Sequence, residues 1–569
     1  MSIDTLPRLK KQEQALLALL SFVLVAFGQP AWSWWLGLLT AAFGYSLFWR
    51  VLLDYERPKH RFWLATGWFF AVQLVQISWM ISHPYSYIYV VYFGLSLVLG
   101  MLCGLFSLFM TRENIQKVPT LIGLAALWTL LEWSHLFFFS GYSFNPAGMA
   151  LTGSLYPMHF ASLWGVFGLS FWIILVNLVG LRAWLNLPSK STVFAWVLLA
   201  SIPYLFGIAH VTIRHAEYEQ HLAQNDPHLH AVLVQTAFPA EEALPFKDKQ
   251  SYISFVLDEW TKVLDITKQH YGKKIDLIVL PEYVVPFGTY TFLYPYDYVK
   301  TAFEKAFGPN NNKNLPPKAE PFARAYHTAQ GEVWFVNNAF WTQAIANTFQ
   351  AEVVAGLEDA EDKEEGHREY YSSAIHFKPN ATPETFTPNR YAKRVLLPMA
   401  EYIPFSFCRE LAAQYGIQGS FTIGQEATVM QGSKAPFGLS ICYEETFGNL
   451  MRESRQNGSE LLVNLTSDVW YPNSRLPQQH FDHARLRTVE AGIPLIRSCN
   501  TGITCAFDSL GRIVSVLGDD PFESEWVADS LYVKVPTYHY WTLYTRFGDS
   551  LIIGISLFGL LLLFAYRKK

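Results

Sequence analysis

The 569-residue chain carries a formal charge of -4 and is 51% hydrophobic, 16% aromatic and 16% charged, which argues against a disordered protein and against a nucleic-acid-binding one. Only 17 of its 90 charged residues precede His210, so the first part reads as membrane and the rest as a water-soluble domain. Five cysteines, with Cys103 inside an apolar run, exclude a dense disulfide framework and leave open whether Cys499 and Cys505 pair.

A membrane-spanning helix needs about 17 to 25 largely apolar residues. Such stretches fall near Leu16–Phe27, Trp32–Trp49, Phe62–Met80, Tyr87–Met110, Pro119–Phe139, Ala161–Leu185 and Thr192–His210, with one more near Leu551–Tyr566. The first is short and ends at Gly28-Gln29-Pro30, which leaves three readings open: a tilted span, one extended back toward Glu13, or one fused as a hairpin with the second. The apolar run after Lys11 leads into further runs without a small-residue cleavage site, so it reads as a retained span and not as a signal peptide.

Lys and Arg set the orientation. Arg8, Lys10 and Lys11 precede the first span, and Arg50, Arg57, Lys59 and Arg61 join the second and third. Arg112 and Lys117 join the fourth and fifth, and Arg182 and Lys190 the sixth and seventh. The alternate loops, around Pro30, His83 and 141–160, contain no Lys or Arg. Both termini are therefore expected in the cytoplasm. The expected organisation is a membrane domain of about seven helices over 1–210, an exported domain over 211–548, and a last helix with a basic tail over 549–569. Gln73, Gln76, Glu132 and His135 lie within the spans. An ionisable group at that depth is a functional candidate, while the i, i+3 spacing of Glu132 and His135 equally allows them to satisfy one another.

From Ala231 onward short β-branched runs alternate with amphipathic stretches. Strands are expected at His230–Gln235, Ile275–Leu280, Val333–Asn337, Ser373–Phe377, Gly438–Ile441, Glu460–Asn464 and Pro494–Ser498, with helices at Ser251–His270 and Gln478–Ala491. This alternation predicts an α/β layered fold. The acid-rich stretch Ala351–Arg368 reads as a solvated insertion.

Three segments place a reactive group at the end of an apolar run, where side chains of an α/β sheet reach a shared crevice: Leu280-Pro281-Glu282, Arg390 through Lys393 to Glu401, and Ile441-Cys442-Tyr443-Glu444. A thiol near pKa 8.5 is mostly protonated at neutral pH, so Cys442 needs a base, and Glu282 qualifies if burial raises its own pKa. Lys393 supplies positive charge where an oxyanion develops. Glu401 is placed to orient that amine or to relay protons, and Glu444 to shape the nucleophile turn. Taken singly, each has a plain reading: a core cysteine, a helix start, a surface Lys-Arg pair.

Together, the order Glu282, Lys393, Cys442 and the flanking residues resemble the nitrilase superfamily. The combination with several spans resembles its membrane-embedded branch, the apolipoprotein N-acyltransferases. The likeness is most specific at Leu280-Pro281-Glu282, Tyr391-Ala392-Lys393 to Pro398, Glu401-Tyr402 to Pro404, Cys442-Tyr443-Glu444, Asn464 through Trp470 to His480-Phe481, and Arg497-Ser498 with Asn500-Thr501-Gly502. It implies an αββα sandwich in which Glu282 is general base, Lys393 transition-state stabiliser and Cys442 nucleophile. Glu401, Tyr443 and Glu444 match supporting residues, and Trp470 an aromatic near a lipid entrance.

The implied activity is transfer of an acyl chain from a membrane phospholipid to the α-amine of a diacylglyceryl apolipoprotein through a Cys442 thioester, by a monomer in the bacterial inner membrane. Departures include Pro398-Met-Ala-Glu401 and Asp468-Val-Trp470, and no tryptophan lies in 236–246, where Phe238 or Phe246 stands in. No cofactor is expected, since no Gly-rich phosphate loop follows a predicted strand. No metal is expected either, because His480 and His483 lack a third ligand. An anchored amidohydrolase using the same three residues, and a non-catalytic scaffold, remain the alternatives.

Overall fold

A computed structural model describes the chain except residues 1–7, 225, 241–243, 245, 330, 364–367, 404–409, 411–420, 519–523 and 568–569. Pro404, Cys408, Glu364, Glu365, Lys568 and Lys569 thus lie outside the described residues. By compactness the chain divides into two units. The first comprises 1–219, 471–492 and 541–569, and the second 220–470 and 493–540.

The first unit is helical: α1 (Lys11–Phe27), α2 (Trp34–Leu52, with a π turn at Thr40–Gly44), α3 (Pro58–Gln76), α4 (Ile88–Ser107), α5 (Val118–Ser134), α6 (Ala161–Leu185) and α7 (Lys190–Leu222). Among the described residues five helices are long and apolar enough to cross a membrane: α2, α4, α6, α7 and one running from Val118 to Phe137; Ser550–Tyr566 is a shorter apolar helix. Each expected span coincides with a helix, and α7 continues twelve residues beyond His210.

Helices that are apolar all round pack through aromatic and small residues. Tyr45, Trp49, Phe106 and Trp128 form one contiguous cluster, and Asn177 ties α6 to α2 through the N–H groups of Tyr45 and Ser46. Glu132 does not pair with His135. Its Oε1 accepts from Trp128 Nε1 at 2.7 Å and from the N–H of Ala147 at 2.8 Å. The helix Leu476–Ala491 belongs to this unit: Gln479 Nε2 donates to the Gln76 carbonyl at 2.8 Å, and Glu490 accepts from the N–H of Val166 at 2.8 Å. Its His480 and His483 rings lie against Phe144 at 5.5 and 5.8 Å, so aromatic packing engages both.

The second unit contains β1 (His228–Gln235), β2 (Leu277–Val279), β3 (Tyr294–Pro295), β4 (Ala323–Thr328), β5 (Gly331–Val336), β6 (Glu352–Asp362), β7 (Arg368–Phe377) and β8 (Asn389–Ala392). Further along come β9 (Val429–Gln431), β10 (Pro436–Ile441), β11 (Leu461–Thr466), β12 (Leu495–Cys499), β13 (Cys505–Phe507), β14 (Ile513–Val516) and β15 (Asp529–Pro536). Two six-stranded sheets form, in the orders β15-β1-β2-β6-β7-β8 and β14-β13-β12-β11-β10-β9, and β3-β5-β4 is a small third sheet.

The centre of each large sheet is parallel, which is why its strands read as unbroken apolar runs and not as alternations. One face of each meets the other in a shared core of Leu233, Val279, Val354, Leu439, Val463 and Ile496. The outer face of the first sheet is covered by α8 (Lys249–Lys268), α9 (Tyr296–Phe307) and α10 (Asn338–Phe349), where Trp260 and Trp341 stack at 5.4 Å. On the second sheet α11 (Gly448–Gln456) packs on β10. This is the layered α/β sandwich expected.

The acid-rich stretch is not a solvated insertion throughout: its first part is β6, buried through Leu357 and paired with β7 from Val353 to Asp362. Its outer charges are held across strands, Arg390 pairing with both Asp359 (2.7 Å) and Glu361, so acidity there coexists with a regular ladder.

Candidate active site

Glu282 stands three residues past the end of β2. The ladder continues beyond the strand through Leu280 N–H to the Val354 carbonyl (2.8 Å) and Val284 N–H to the Gly356 carbonyl (3.0 Å). A side chain at Gly356 would meet the Pro281 carbonyl at 2.4 Å and Glu282 Cα at 2.6 Å, so only glycine lets β6 lie this close to the Glu282 backbone. Lys393 immediately follows β8 and is fixed by its own backbone, its N–H donating to the Ser372 carbonyl and its carbonyl accepting from Gly424 N–H, both at 2.8 Å. Cys442 follows β10 at the point where that strand stops.

The structure brings Glu282, Lys393 and Glu401 into one buried ion cluster with Cys442 beside it. Lys393 Nζ lies 3.0 Å from Glu282 Oε1 and 2.7 Å from Glu401 Oε1. The other Glu401 oxygen accepts from Leu397 N–H at 2.8 Å. Cys442 and Glu282 are close enough for each to shift the other's titration, and the Lys393 ammonium is 5.8 Å above the Tyr443 ring.

Backbone strain collects here. Tyr283, Met399 and Cys442 have φ of 46°, 66° and 56°, a region that non-glycine residues occupy at a cost of roughly 1–3 kcal/mol and chiefly where the surroundings over-determine them. One such residue adjoins the acid, one lies on the loop carrying Glu401, and one is the cysteine.

Charge placement matches acid–base work. Burial pushes Glu282 up to about 7, with Lys393 opposing. Burial alone would pull the Lys393 ammonium down, but the Cys442 thiolate once it forms, and the Glu282 and Glu401 carboxylates, outweigh it and hold it well above the ordinary lysine range. Burial, and next the Glu282 charge, push the Cys442 thiol well above its usual range. The resting set is therefore a thiol, a fixed ammonium and a carboxyl able to change protonation near neutrality.

Glu444 has a different job. Its Oε2 accepts from the N–H of Ile441 (2.8 Å) and from Tyr391 Oη (2.9 Å), and its Oε1 from the N–H groups of Arg394 (2.6 Å) and Val395 (3.0 Å). Three of these acceptances bind the cysteine-bearing turn to the lysine-bearing segment, and the one from Ile441 closes the cysteine turn on itself. Tyr443 Oη adds a bond to the Leu396 carbonyl at 3.1 Å. Trp470, half-buried, lies in the turn after β11. Cys499 and Cys505 are both buried free thiols.

Sequence reasoning passed over Glu445, next to the residue it singled out. Glu445 is fully buried and paired with Arg497 at 2.6 Å. A charged residue at the centre of the apolar run Leu495–Cys499 was the available signal, since a buried charge requires a partner.

Comparison with known proteins now adds to the geometry. Residues 251–525 match the carbon-nitrogen hydrolase family, and residues 21–179 match the apolipoprotein N-acyltransferase N-terminal domain. The apolipoprotein N-acyltransferase of Chlamydia pneumoniae is 33% identical over 94% of both chains. That of Chlamydia trachomatis is 33% identical over 97% of both, and that of Pasteurella multocida 25% identical over 89% of this chain and 86% of its own. The chain belongs to the apolipoprotein N-acyltransferase family. It is an acyltransferase of the nitrilase superfamily and, with its apolar helices, a bacterial membrane protein.

Proposed function

We propose that the protein moves an acyl chain from a membrane phospholipid onto the α-amine of a diacylglyceryl-cysteine at the start of an apolipoprotein. The observation that carries the reading is the buried Glu282–Lys393–Glu401 cluster beside a cysteine thiol on strained backbone. Cys442 is the nucleophile, Glu282 the base and Lys393 the stabiliser, with Glu401, Tyr443 and Glu444 supporting them. Trp470 is assigned to the substrate side.

In the first stage Glu282 takes the Cys442 proton as sulfur attacks the acyl ester carbonyl. The oxyanion forms beside the Lys393 ammonium. Collapse breaks the ester C–O bond, Glu282 returns its proton to the departing lysophospholipid oxygen, and the acyl group remains as a thioester. In the second stage the acceptor amine attacks the thioester carbonyl. Glu282 takes the amine proton, the C–S bond breaks, and the proton returns to sulfur, leaving an amide on the lipoprotein and the thiol restored.

Lipid substrates account for a membrane platform. Burying each acyl methylene is worth about 0.8 kcal/mol, so lifting either substrate wholly into water is prohibitive and the chemistry belongs at the interface. The Lys and Arg placement supports cytoplasmic termini and an exported catalytic unit.

The test is intact-mass analysis of the purified protein after incubation with phospholipid, comparing wild type with Cys442→Ser and Glu282→Gln, followed by a diacylated lipopeptide. A hydroxylamine-sensitive acyl adduct on wild type only, discharged as the peptide gains the acyl chain, is the expected result. An adduct that water discharges as fast as peptide does would favour an amidohydrolase, and no adduct would sink the thioester.

A further inference from the structure

Cys442 poses a problem of support. Its φ of 56° is left-handed, and it stands one residue beyond the last parallel pair of its strand, Ile441 with Leu465. Cys442 opens the short 3-10 turn Cys442–Thr446 and has no strand partner beyond it. Its carbonyl also accepts from a side chain across the sheet: Asn464, on β11, donates Nδ2 to the Cys442 oxygen at 3.0 Å. The same amide nitrogen reaches Ser440 Oγ at 3.1 Å and Glu445 Oε2 at 3.3 Å.

The orientation of this amide is forced. Asn464 Oδ1 accepts from Arg497 Nη1 at 2.9 Å, and guanidinium carries only donors. A flipped amide would set Nδ2 against Arg497 and an oxygen against the Cys442 carbonyl. Arg497 in turn is pinned by Glu445 at 2.6 Å and lies 3.6 Å from Asp468. Asn464, Arg497 and Glu445 are all fully buried, so water cannot substitute for any of these bonds.

We infer that Asn464, locked by Arg497 and Glu445, is a positioning residue that holds the Cys442 backbone in its left-handed turn and thereby aims the thiol at Glu282. This rests on the reading of Cys442 as nucleophile. It predicts a defect in sulfur reactivity without a matching defect in lipid binding.

The test uses the full-length protein in detergent and the rate of Cys442 alkylation by iodoacetamide, read by mass spectrometry, alongside the kcat and KM of lipid turnover and a thermal melt. Asn464→Asp keeps shape and the bond to Arg497 but cannot donate to the Cys442 carbonyl. Asn464→Ser keeps a short donor and loses the locking acceptor. Asn464→Gln keeps both functions on a longer stem. A misplacement of about 1 Å costs on the order of 10²-fold in such chemistry. Asp and Ser variants that melt as wild type should therefore lose about that much in alkylation rate and kcat, with KM within about twofold and Gln restoring part of the rate.

Folded Asp and Ser variants that alkylate at the wild-type rate would overturn the inference, as would a kcat that falls only in proportion to the unfolded fraction. If the Asn464 variants do not fold, Arg497→Lys keeps the charge opposite Glu445 while giving up the fork, and the same loss is required of it. Wild-type protein whose Cys442 is not alkylated at all would instead count against Cys442 as nucleophile, so the two failures are distinct.

Discussion

Lys393 lies closer to Glu401, at 2.7 Å, than to Glu282, at 3.0 Å. The ammonium is thus shared between two carboxylates, and a charge divided in this way offsets the burial of Glu282 only in part. Burial raises it first and the Glu401 charge raises it further, against Lys393, to about 7. In the proposed mechanism Glu282 must be ionised to accept the thiol proton, so turnover at saturating lipid should fall as pH drops through about 7, with a single acid limb. A rate independent of pH between 5 and 8 would remove Glu282 from the role of base.

Removing the Glu401 charge should then move that limb. In Glu401→Gln the ammonium turns wholly to Glu282, the repulsion from a second carboxylate is gone, and both changes lower the Glu282 pKa. The acid limb should shift to lower pH while the plateau drops, since a weaker base transfers the thiol proton less readily. A pH–rate profile of the variant decides this. A limb that stays in place would mean that Glu401 serves only to fold the Leu397 loop.

How far this site was legible in the sequence depends on what kind of contact builds it. Glu282 and Cys442 each follow an apolar strand of a parallel sheet centre, where strand ends converge, so local pattern sufficed to gather them; Lys393 follows the antiparallel strand Asn389–Ala392, which is not apolar, and its place rested on the family resemblance. Asn464 and Arg497 were visible as polar residues inside buried strands, but their contact spans 33 residues in the chain, and spacing carries no information about it. The strand β6 was hidden because its acidic outer half satisfies itself across the hairpin and with Arg390, which composition alone reads as solvated. Gly356 was silent because its meaning lies in the absence of a side chain beside Glu282.

Glu444 should behave as a structural clamp. It accepts from two backbone N–H groups with one oxygen, and from a third and a tyrosine hydroxyl with the other. Glu444→Gln replaces one acceptor oxygen by a donor NH₂ that faces N–H or O–H groups. Hydrogen bonds to a charged group contribute about 1.5–3 kcal/mol each, so the variant should melt several degrees lower in detergent. Its remaining folded fraction should still alkylate Cys442, more slowly, as the Lys393 loop loosens against the cysteine turn. A melt unchanged from wild type would contradict the clamp.

Gly356→Ala tests the placement of Glu282, the proposed base, without touching any reacting group. The added carbon would stand 2.4 Å from the Pro281 carbonyl and 2.6 Å from Glu282 Cα, and neither is the end of a flexible side chain, so the β2 extension must move outward. The Leu280–Val354 and Val284–Gly356 bonds that flank it are short and keep the strand from sliding freely, which concentrates the displacement at Glu282. A shift near 1 Å at a proton acceptor is worth about 10²-fold in rate. The expected outcome is a comparable fall in acyl-enzyme formation, followed by intact mass over time, with a melting temperature lowered far less than the rate would suggest. Because β6 also lies in the sheet core, Val354→Ala serves as the comparison: it opens a cavity one turn of the ladder away and should lower the melt by more and the rate by less. If both variants lose activity in step with stability, the closeness of Gly356 to Glu282 is a matter of packing alone.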